Sequence, residues 1–149
     1  MACKPELLSP VGNMEALRAA VQNCADAVYM GGQRFNARSY ASNFDDRELE
    51  QAVKYAHLHG VRIYVTLNTL ISDDELRDAV QYLEYLFGIG TDAVIVQGLG
   101  LAVLAKSYFP GMQVHASTQM TIYSPEGALP LKDAGIDRVV VARELRLKE

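Results

Sequence analysis

The sequence predicts an α/β fold of alternating βαβ units, and three observations predict it. Six short runs rich in apolar and β-branched residues alternate with stretches whose apolar residues recur at helical spacing. A degenerate repeat, Cys24-Ala25-Asp26-Ala27-Val28, Gly90-Thr91-Asp92-Ala93-Val94 and Gly135-Ile136-Asp137-Arg138-Val139, joins a helix end to a buried strand through an Asp. The 149 residues, 50% hydrophobic and 21% charged, suffice for one core, so a single domain over 1–149 is expected.

Taken in order, Glu6-Leu7-Leu8-Ser9-Pro10 is a short apolar strand that Pro10, Val11 and Gly12 lead into a loop. Asn13 caps a helix over about 13–24 with Met14, Leu17, Ala20, Val21 and Cys24 on its buried stripe. Asp26 to Met30 is the second strand, ended by Gly31 and Gly32. From Gln33 to Phe44 no period is visible, so this stretch reads as a long loop of the kind that often carries function.

Asp45, Asp46 and Glu48 start a helix with charges that suit its N-terminal dipole, and Leu49, Ala52, Val53 and Ala56 form its stripe up to His59-Gly60. The helix-end histidines His57 and His59 need no further role than that dipole. Val61 to Leu67 is the third strand. Ser72 followed by Glu75 is a capping box opening a helix with Leu76, Ala79, Val80, Leu83, Leu86 and Phe87 inward. Asp92 to Gln97 makes the fourth strand, Leu101 to Tyr108 a short helix stopped by Pro110-Gly111, and Gln113 to Ser117 the fifth strand. Pro125 to Ala134 is a helix that Pro130 should weaken or bend, Asp137 to Ala142 is the sixth strand, and another helix is expected to begin after it.

Parallel βαβ units leave two architectures open, an open doubly wound sheet and a (β/α)₈ barrel. A complete barrel takes about 250 residues, so six strands would be an unfinished one, apparently truncated before its last units. The open sheet lacks its usual phosphate fingerprint, because the first strand ends in Ser9-Pro10-Val11-Gly12 rather than G-x-G-x-x-G.

Composition excludes several functions. A net charge of -4 argues against a general nucleic-acid-binding surface, which needs clustered Lys and Arg. Two cysteines, Cys3 and Cys24, give neither a CxxC nor a Cys/His cluster, so no metal site and no disulfide framework is expected, and a reducing cytoplasm fits. In the repeat, Cys24 stands where the other copies have Gly, which makes it a small residue at a helix end. No 18-residue apolar run occurs, so no membrane span is expected.

In either architecture the site lies at the carboxyl ends of the strands. All six strands end in small or polar residues, giving Asn13, Asn36, Arg38, Asn68, Gln97, His115, Ser117, Gln119, Arg143 and Glu144 as candidate substrate-binding residues. The densest sector is His115-Ala116-Ser117-Thr118-Gln119-Met120, where polar groups close an otherwise buried strand. His115 and Ser117 share a strand face, but with no G-x-S-x-G elbow and no acidic orienter a Ser-His nucleophile is not indicated. Arg143 and Glu144 form either an internal pair or an Arg fork for a carboxylate or phosphate. Arg34, Phe35, Arg38 and Tyr40 suit a lid over a substrate or a nucleobase.

Several separated motifs together resemble the collagenase-like peptidases, peptidase family U-32, over nearly the whole chain: Glu6-Leu7-Leu8-Ser9-Pro10, Ala25-Asp26-Ala27-Val28-Tyr29, Phe35-Asn36-Ala37-Arg38, Thr66-Leu67-Asn68-Thr69, His115-Ala116-Ser117-Thr118-Gln119-Met120 and Ala142-Arg143-Glu144-Leu145. The resemblance implies an N-terminal, incomplete TIM-like (β/α) barrel of about six strands. For activity it implies first a protease of unknown catalytic type acting on peptides. The alternative it implies is part of an oxygen-independent hydroxylation protein acting on RNA or a quinone precursor. Hydroxylating relatives share a cysteine set holding an iron-sulfur cluster, which would lie beyond Glu149 and which neither Cys3 nor Cys24 matches. A third reading is an inactive binding or structural fragment, and unpaired edge strands lead us to expect a homo-oligomer.

Overall fold

The computed structural model describes residues 4–37 and 43–146. Among them the strands are β1 (Leu8–Pro10), β2 (Ala27–Gly31), β3 (Arg62–Leu67), β4 (Ala93–Val96), β5 (Gln113–Ala116) and β6 (Arg138–Val139). The helices are α1 (Met14–Gln22), α2 (Asp46–Leu58), α3 (Leu76–Gly88), α4 (Leu99–Tyr108) and α5 (Pro125–Asp133). All strand pairs are parallel and the sheet order is β1-β2-β3-β4-β5-β6. A doubly wound sheet reverses its direction of growth at a switch point. Stepping one way only is barrel winding, so the fold is half of a TIM-like barrel with helices between the strands.

Alternation along the strands separates two apolar layers. Val28, Met30, Ile63, Val65, Val94, Val96, Val114 and Ala116 pack under helix residues such as Leu17, Leu49, Leu83 and Ala102. On the inner face Ala27, Tyr64, Ala93 and Ile95 form a second cluster with Leu8 and Tyr29. Tyr64 is fully buried there although only six strands surround it, so the sheet is strongly curled.

The repeat seen in the sequence has a definite job. Cys24, Gly90 and Gly135 all take left-handed backbone, at φ 60°, 85° and 82°. Two residues on, the Asp carboxylate accepts a backbone N–H at the start of the preceding strand: Leu7 to Asp26 at 2.7 Å, Ile63 to Asp92 at 2.8 Å and Val114 to Asp137 at 2.8 Å. A basic side chain stands on each carboxylate, Lys4 at 3.6 Å, His57 at 2.8 Å and Lys106 at 2.9 Å. The unit that repeats is therefore a strand pair, β1-β2, β3-β4 and β5-β6. His57 belongs to this device, beyond the helix-dipole role its position suggests.

Left-handed backbone costs an L-residue about 1–2 kcal/mol, and glycine escapes most of that. Cys24→Gly is expected to stabilise the chain by about 0.5–1 kcal/mol once the added unfolded-state entropy is subtracted. A urea midpoint that stays put or falls would contradict this.

Several elements differ from expectation: β6 covers only Arg138–Val139 rather than Asp137 to Ala142, and α1 ends at Gln22, which leaves Cys24 outside the helix and exposed rather than on its buried stripe. The Glu75 carboxylate accepts the Ser72 N–H at 3.0 Å and its hydroxyl at 2.8 Å, but this box opens a 3₁₀ turn, Asp73–Glu75, before α3 begins. The α3 stripe includes the fully buried Tyr82, while Phe87 is 46% exposed. After β6 the chain makes a turn at Arg143 and Glu144 within residues 141–146 and forms no helix there. Helix α5 continues through Pro130 to Asp133.

Candidate functional site

A cavity of ≈ 320 Å³ opens at the carboxyl ends of the strands. Leu8, Tyr29, Met30, Ile95 and Val140 give it apolar walls, and Asn36, Asn43, Thr66, Asn68, Ser117 and Thr118 give it polar ones. Every polar side chain among these is a neutral amide or hydroxyl. Since Leu8 and Val140 come from opposite edges of the sheet, the curl of the six strands is what creates the cavity.

Amides tie Asn36, Ala37 and Asn43, which follow β2, to one another and to β3 beside this cavity. Asn36 Nδ2 donates to Asn43 Oδ1 at 2.6 Å, and the Thr66 hydroxyl lies 3.3 Å from Asn36 Oδ1 and 3.2 Å from the Met30 carbonyl. The Ala37 N–H donates to Asn68 Oδ1 at 3.1 Å. Asn36 is only 7% exposed because Gly31 has no side chain: a Cβ there would stand 1.9 Å from Asn36 Nδ2. A glycine at the end of β2 thus lets an amide lie against the strand backbone.

His115 lies on the inner face of β5 and Ser117 just past the strand's end; Ser117 lines the cavity and His115 does not, and no hydrogen bond joins them. The Ser117 hydroxyl accepts the Gln119 N–H at 3.3 Å, capping the short 3₁₀ turn Thr118–Met120. The His115 ring lies edge-on to Tyr64 at 4.7 Å, is 1% exposed, and its Nε2 has no hydrogen-bond partner. Burial, with the nearby Arg138 charge added, pushes the His115 pKa down to about 4, so the imidazole is neutral at physiological pH. No nucleophile, base and orienting acid are assembled among the described residues.

Of the expected binding residues, Asn36, Asn68 and Ser117 line the cavity together. Asn13 lies outside its lining and caps α1, accepting the Ala16 N–H at 2.8 Å. Gln97 is half-buried and Gln119 exposed, both beyond the lining. Arg143 and Glu144 are exposed and form no ion pair with any described residue. Arg38 and Tyr40 lie outside the described residues. Arg34 turns away from the cavity to pair with Asp46 at 2.8 Å, its guanidinium 4.3 Å from the Tyr82 ring centroid.

Sequence reasoning missed Tyr29, Ile95 and Val140, the apolar walls. The signal was available, since each stands two residues, and hence one inward position, before a strand end or rim residue: Gly31, Gln97 and Ala142. Asn43 was visible only as a polar residue ahead of the Asp45 cap. Cys24 is exposed, and among the described residues no group of three His, Cys, Asp or Glu could hold a metal ion. An iron-sulfur cluster therefore does not fit the residues described. No helix among them is long and apolar enough to cross a membrane.

At the opposite, N-terminal end of the strands, Glu6 gathers three donors. Arg138 Nη1 donates to it at 2.6 Å, the Tyr64 hydroxyl at 3.0 Å, and Arg62 also pairs with it.

Comparison with known proteins bears on this geometry. The family model described as peptidase family U32 matches residues 12–149. A 23S rRNA 5-hydroxycytidine synthase of Escherichia coli (strain K12) is 43% identical over 144 residues, covering 97% of this chain and 21% of the relative. The tRNA hydroxylation protein P1 of Bacillus subtilis (strain 168) is 38% identical over 141 residues, covering 95% of this chain and 33% of the relative. The chain thus spans about a fifth to a third of the length of these relatives. Among solved structures, the U32 peptidase Mk0906 superposes with a TM-score of 0.76 at 16% identity, covering 95% of this chain and 60% of the other, a likeness of fold.

Proposed function

The chain belongs to peptidase family U32, and from that premise we propose that it forms the nucleobase-binding half-barrel of an RNA hydroxylation protein. The observation that carries this reading is the cavity, whose polar complement is wholly uncharged. A nucleobase presents neutral donors and acceptors along an edge and a flat apolar face, which amides and hydroxyls on apolar walls match. Its size sits at the lower end of the range of about 300–1,000 Å³ for small-ligand pockets.

The resemblance read from sequence put the peptidase first and RNA hydroxylation second. Two things support the reverse order. The E. coli and B. subtilis relatives are named for RNA hydroxylation, and the one His-Ser pair on the cavity side of β5 is not arranged for acyl transfer. The net charge of -4 supports recognition through the cavity over recognition by a broad phosphate-binding surface.

Nucleoside mass spectrometry of ribosomal and transfer RNA, from cells with and without the gene for this chain, tests the proposal. We expect a pyrimidine nucleoside one oxygen atom heavier to disappear on deletion and to return on complementation. Unchanged RNA nucleosides, together with gelatin cleavage that copurifies with the protein and is lost in a Ser117→Ala variant, would overturn it.

A further inference from the structure

We infer that Asn68 and Ser117 read the base as hydrogen-bond donors, the Asn68 amide NH2 and the Ser117 hydroxyl bonding the ring acceptors of a pyrimidine while Thr66 Oγ1 accepts from it; this rests on the nucleobase reading above. All three residues line the cavity. Each side chain also bonds a main-chain group, and because a main-chain N–H only donates and a carbonyl only accepts, these bonds fix the polarity left over. Asn68 Oδ1 accepts the Ala37 N–H at 3.1 Å, which leaves Nδ2 and its two hydrogens without a partner among the described residues. Ser117 Oγ accepts the Gln119 N–H at 3.3 Å, and nothing among the described residues accepts its hydrogen, although the residue is only 2% exposed. The Thr66 hydroxyl donates to the Met30 carbonyl at 3.2 Å, with Asn36 Oδ1 at 3.3 Å as its other acceptor, so its lone pairs are what remain.

Structural duties account for only half of each donor. The Ala37 N–H needs a carbonyl oxygen from residue 68, which an aspartate would supply as well; what asparagine adds is the NH2. Capping the 3₁₀ turn Thr118–Met120 uses the oxygen of Ser117 and not its hydrogen. A buried hydroxyl hydrogen without an acceptor costs stability, and an acceptor on a ligand in the cavity removes that cost. The other amides of the lining are engaged with each other, Asn36 Nδ2 donating to Asn43 Oδ1 at 2.6 Å. The Thr118 hydroxyl, with no partner among the described residues, can serve either way. The buried polar atoms that lack any partner, Tyr82 Oη, Thr91 Oγ1 and His115 Nε2, belong to residues outside the lining. The cavity therefore offers two donors and one acceptor whose polarity the main chain sets. Cytosine carries O2 and N3 as acceptors and N4 as a donor, and uracil has two carbonyls and one N–H, so the set complements the pyrimidine class.

The test uses this chain labelled in nitrogen-15, titrated with cytidine and followed by NMR. We expect the side-chain NH2 resonances of Asn68 to shift along with the backbone amides of Asn36 and Thr66. Asn68→Asp keeps an acceptor for the Ala37 N–H but removes the donor, so it is expected to weaken cytidine binding about tenfold or more with the thermal midpoint little changed. Ser117→Ala, which adds no charge to the cavity, is expected to weaken it about fivefold or more. If Asn36 and Thr66 respond while the Asn68 NH2 stays still, or if Asn68→Asp binds cytidine as the unmodified chain does, the inference is overturned and the nucleobase reading survives. Were no amide in the cavity to move, the nucleobase reading would fall and the inference with it. Should Asn68→Asp not fold, the NH2 resonances of the unmodified chain and the affinity of Ser117→Ala decide the matter, and no change in either overturns the inference.

Discussion

Gly31→Ala is expected to remove the amide network of the cavity and, with it, most ligand binding. Gly31 pairs with Thr66 of β3 and its carbonyl accepts the Phe44 N–H at 3.1 Å, so its backbone has little room to yield. An added Cβ would lie 1.9 Å from Asn36 Nδ2 and 2.9 Å from Asn43 Oδ1, distances that no packed side chain sustains. The Asn36 amide must leave, taking its contacts with Asn43 and Thr66. Overpacking of this kind typically costs about 1–3 kcal/mol, but the larger effect is on the site, because two of its neutral polar groups lose their positions. We expect cytidine binding by NMR titration to fall by more than about tenfold.

Two comparisons isolate the cause. Gly32→Ala would bring a Cβ to 2.0 Å from Tyr82 Oη of α3, so it should lower stability through the helix layer while leaving Asn36 in place. Gly100→Ala, in α4 with no atom within 4 Å of the added Cβ, should be neutral or stabilise by up to about 1 kcal/mol. Retained cytidine affinity in Gly31→Ala would show that the cradle is dispensable.

That contrast shows why some of this protein could be read from its sequence and some could not. Strand and helix positions follow local rules, and the periodic stripe of α2 and the β-branched run of β3 lie where those rules put them, whereas the α1 stripe ends before Cys24. The repeat led to Cys24 as a glycine equivalent, and the shared left-handed backbone explains why. The same local pattern could not choose between barrel and open sheet, because both are made of identical βαβ units and differ only in which strand each new one joins. Nor could it place Asn36, whose burial depends on a glycine five residues earlier that reads simply as a strand end. Tyr82 was missed for the same reason, since only its partner Gly32 makes room for it. Three lining positions, Asn36, Asn68 and Ser117, were legible and the apolar walls were not, because strand ends are marked by polar residues while inner and outer faces of a doubly covered sheet are both apolar.

The second large effect is expected at the other end of the strands. Glu6 precedes β1 and Arg138 opens β6, the two edges of the sheet, and their hydrogen bond at 2.6 Å ties residues 132 positions apart. Burial works to raise the Glu6 pKa, but hydrogen bonds from Arg138 and Tyr64 and the charges of Arg138 and Arg62 outweigh it and hold the carboxyl below its usual range. Glu6→Gln leaves two guanidiniums facing each other without their shared carboxylate. Breaking a fully buried pair costs about 3–5 kcal/mol, and the partial exposure of both arginines brings the expectation to about 2–3 kcal/mol. Because the folded-state pKa is depressed, this contribution is fully present above the ordinary glutamate value of about 4.3 and fades as pH falls through the lower folded value. Urea unfolding of both proteins should therefore show a constant gap at neutral pH that closes in acid. A gap that persists unchanged well below pH 4 would mean that the carboxylate charge is not its source. Since binding groups sit at the opposite end, Glu6→Gln should weaken the fold with cytidine affinity intact wherever the chain remains folded, the division between stability face and functional face that barrels impose.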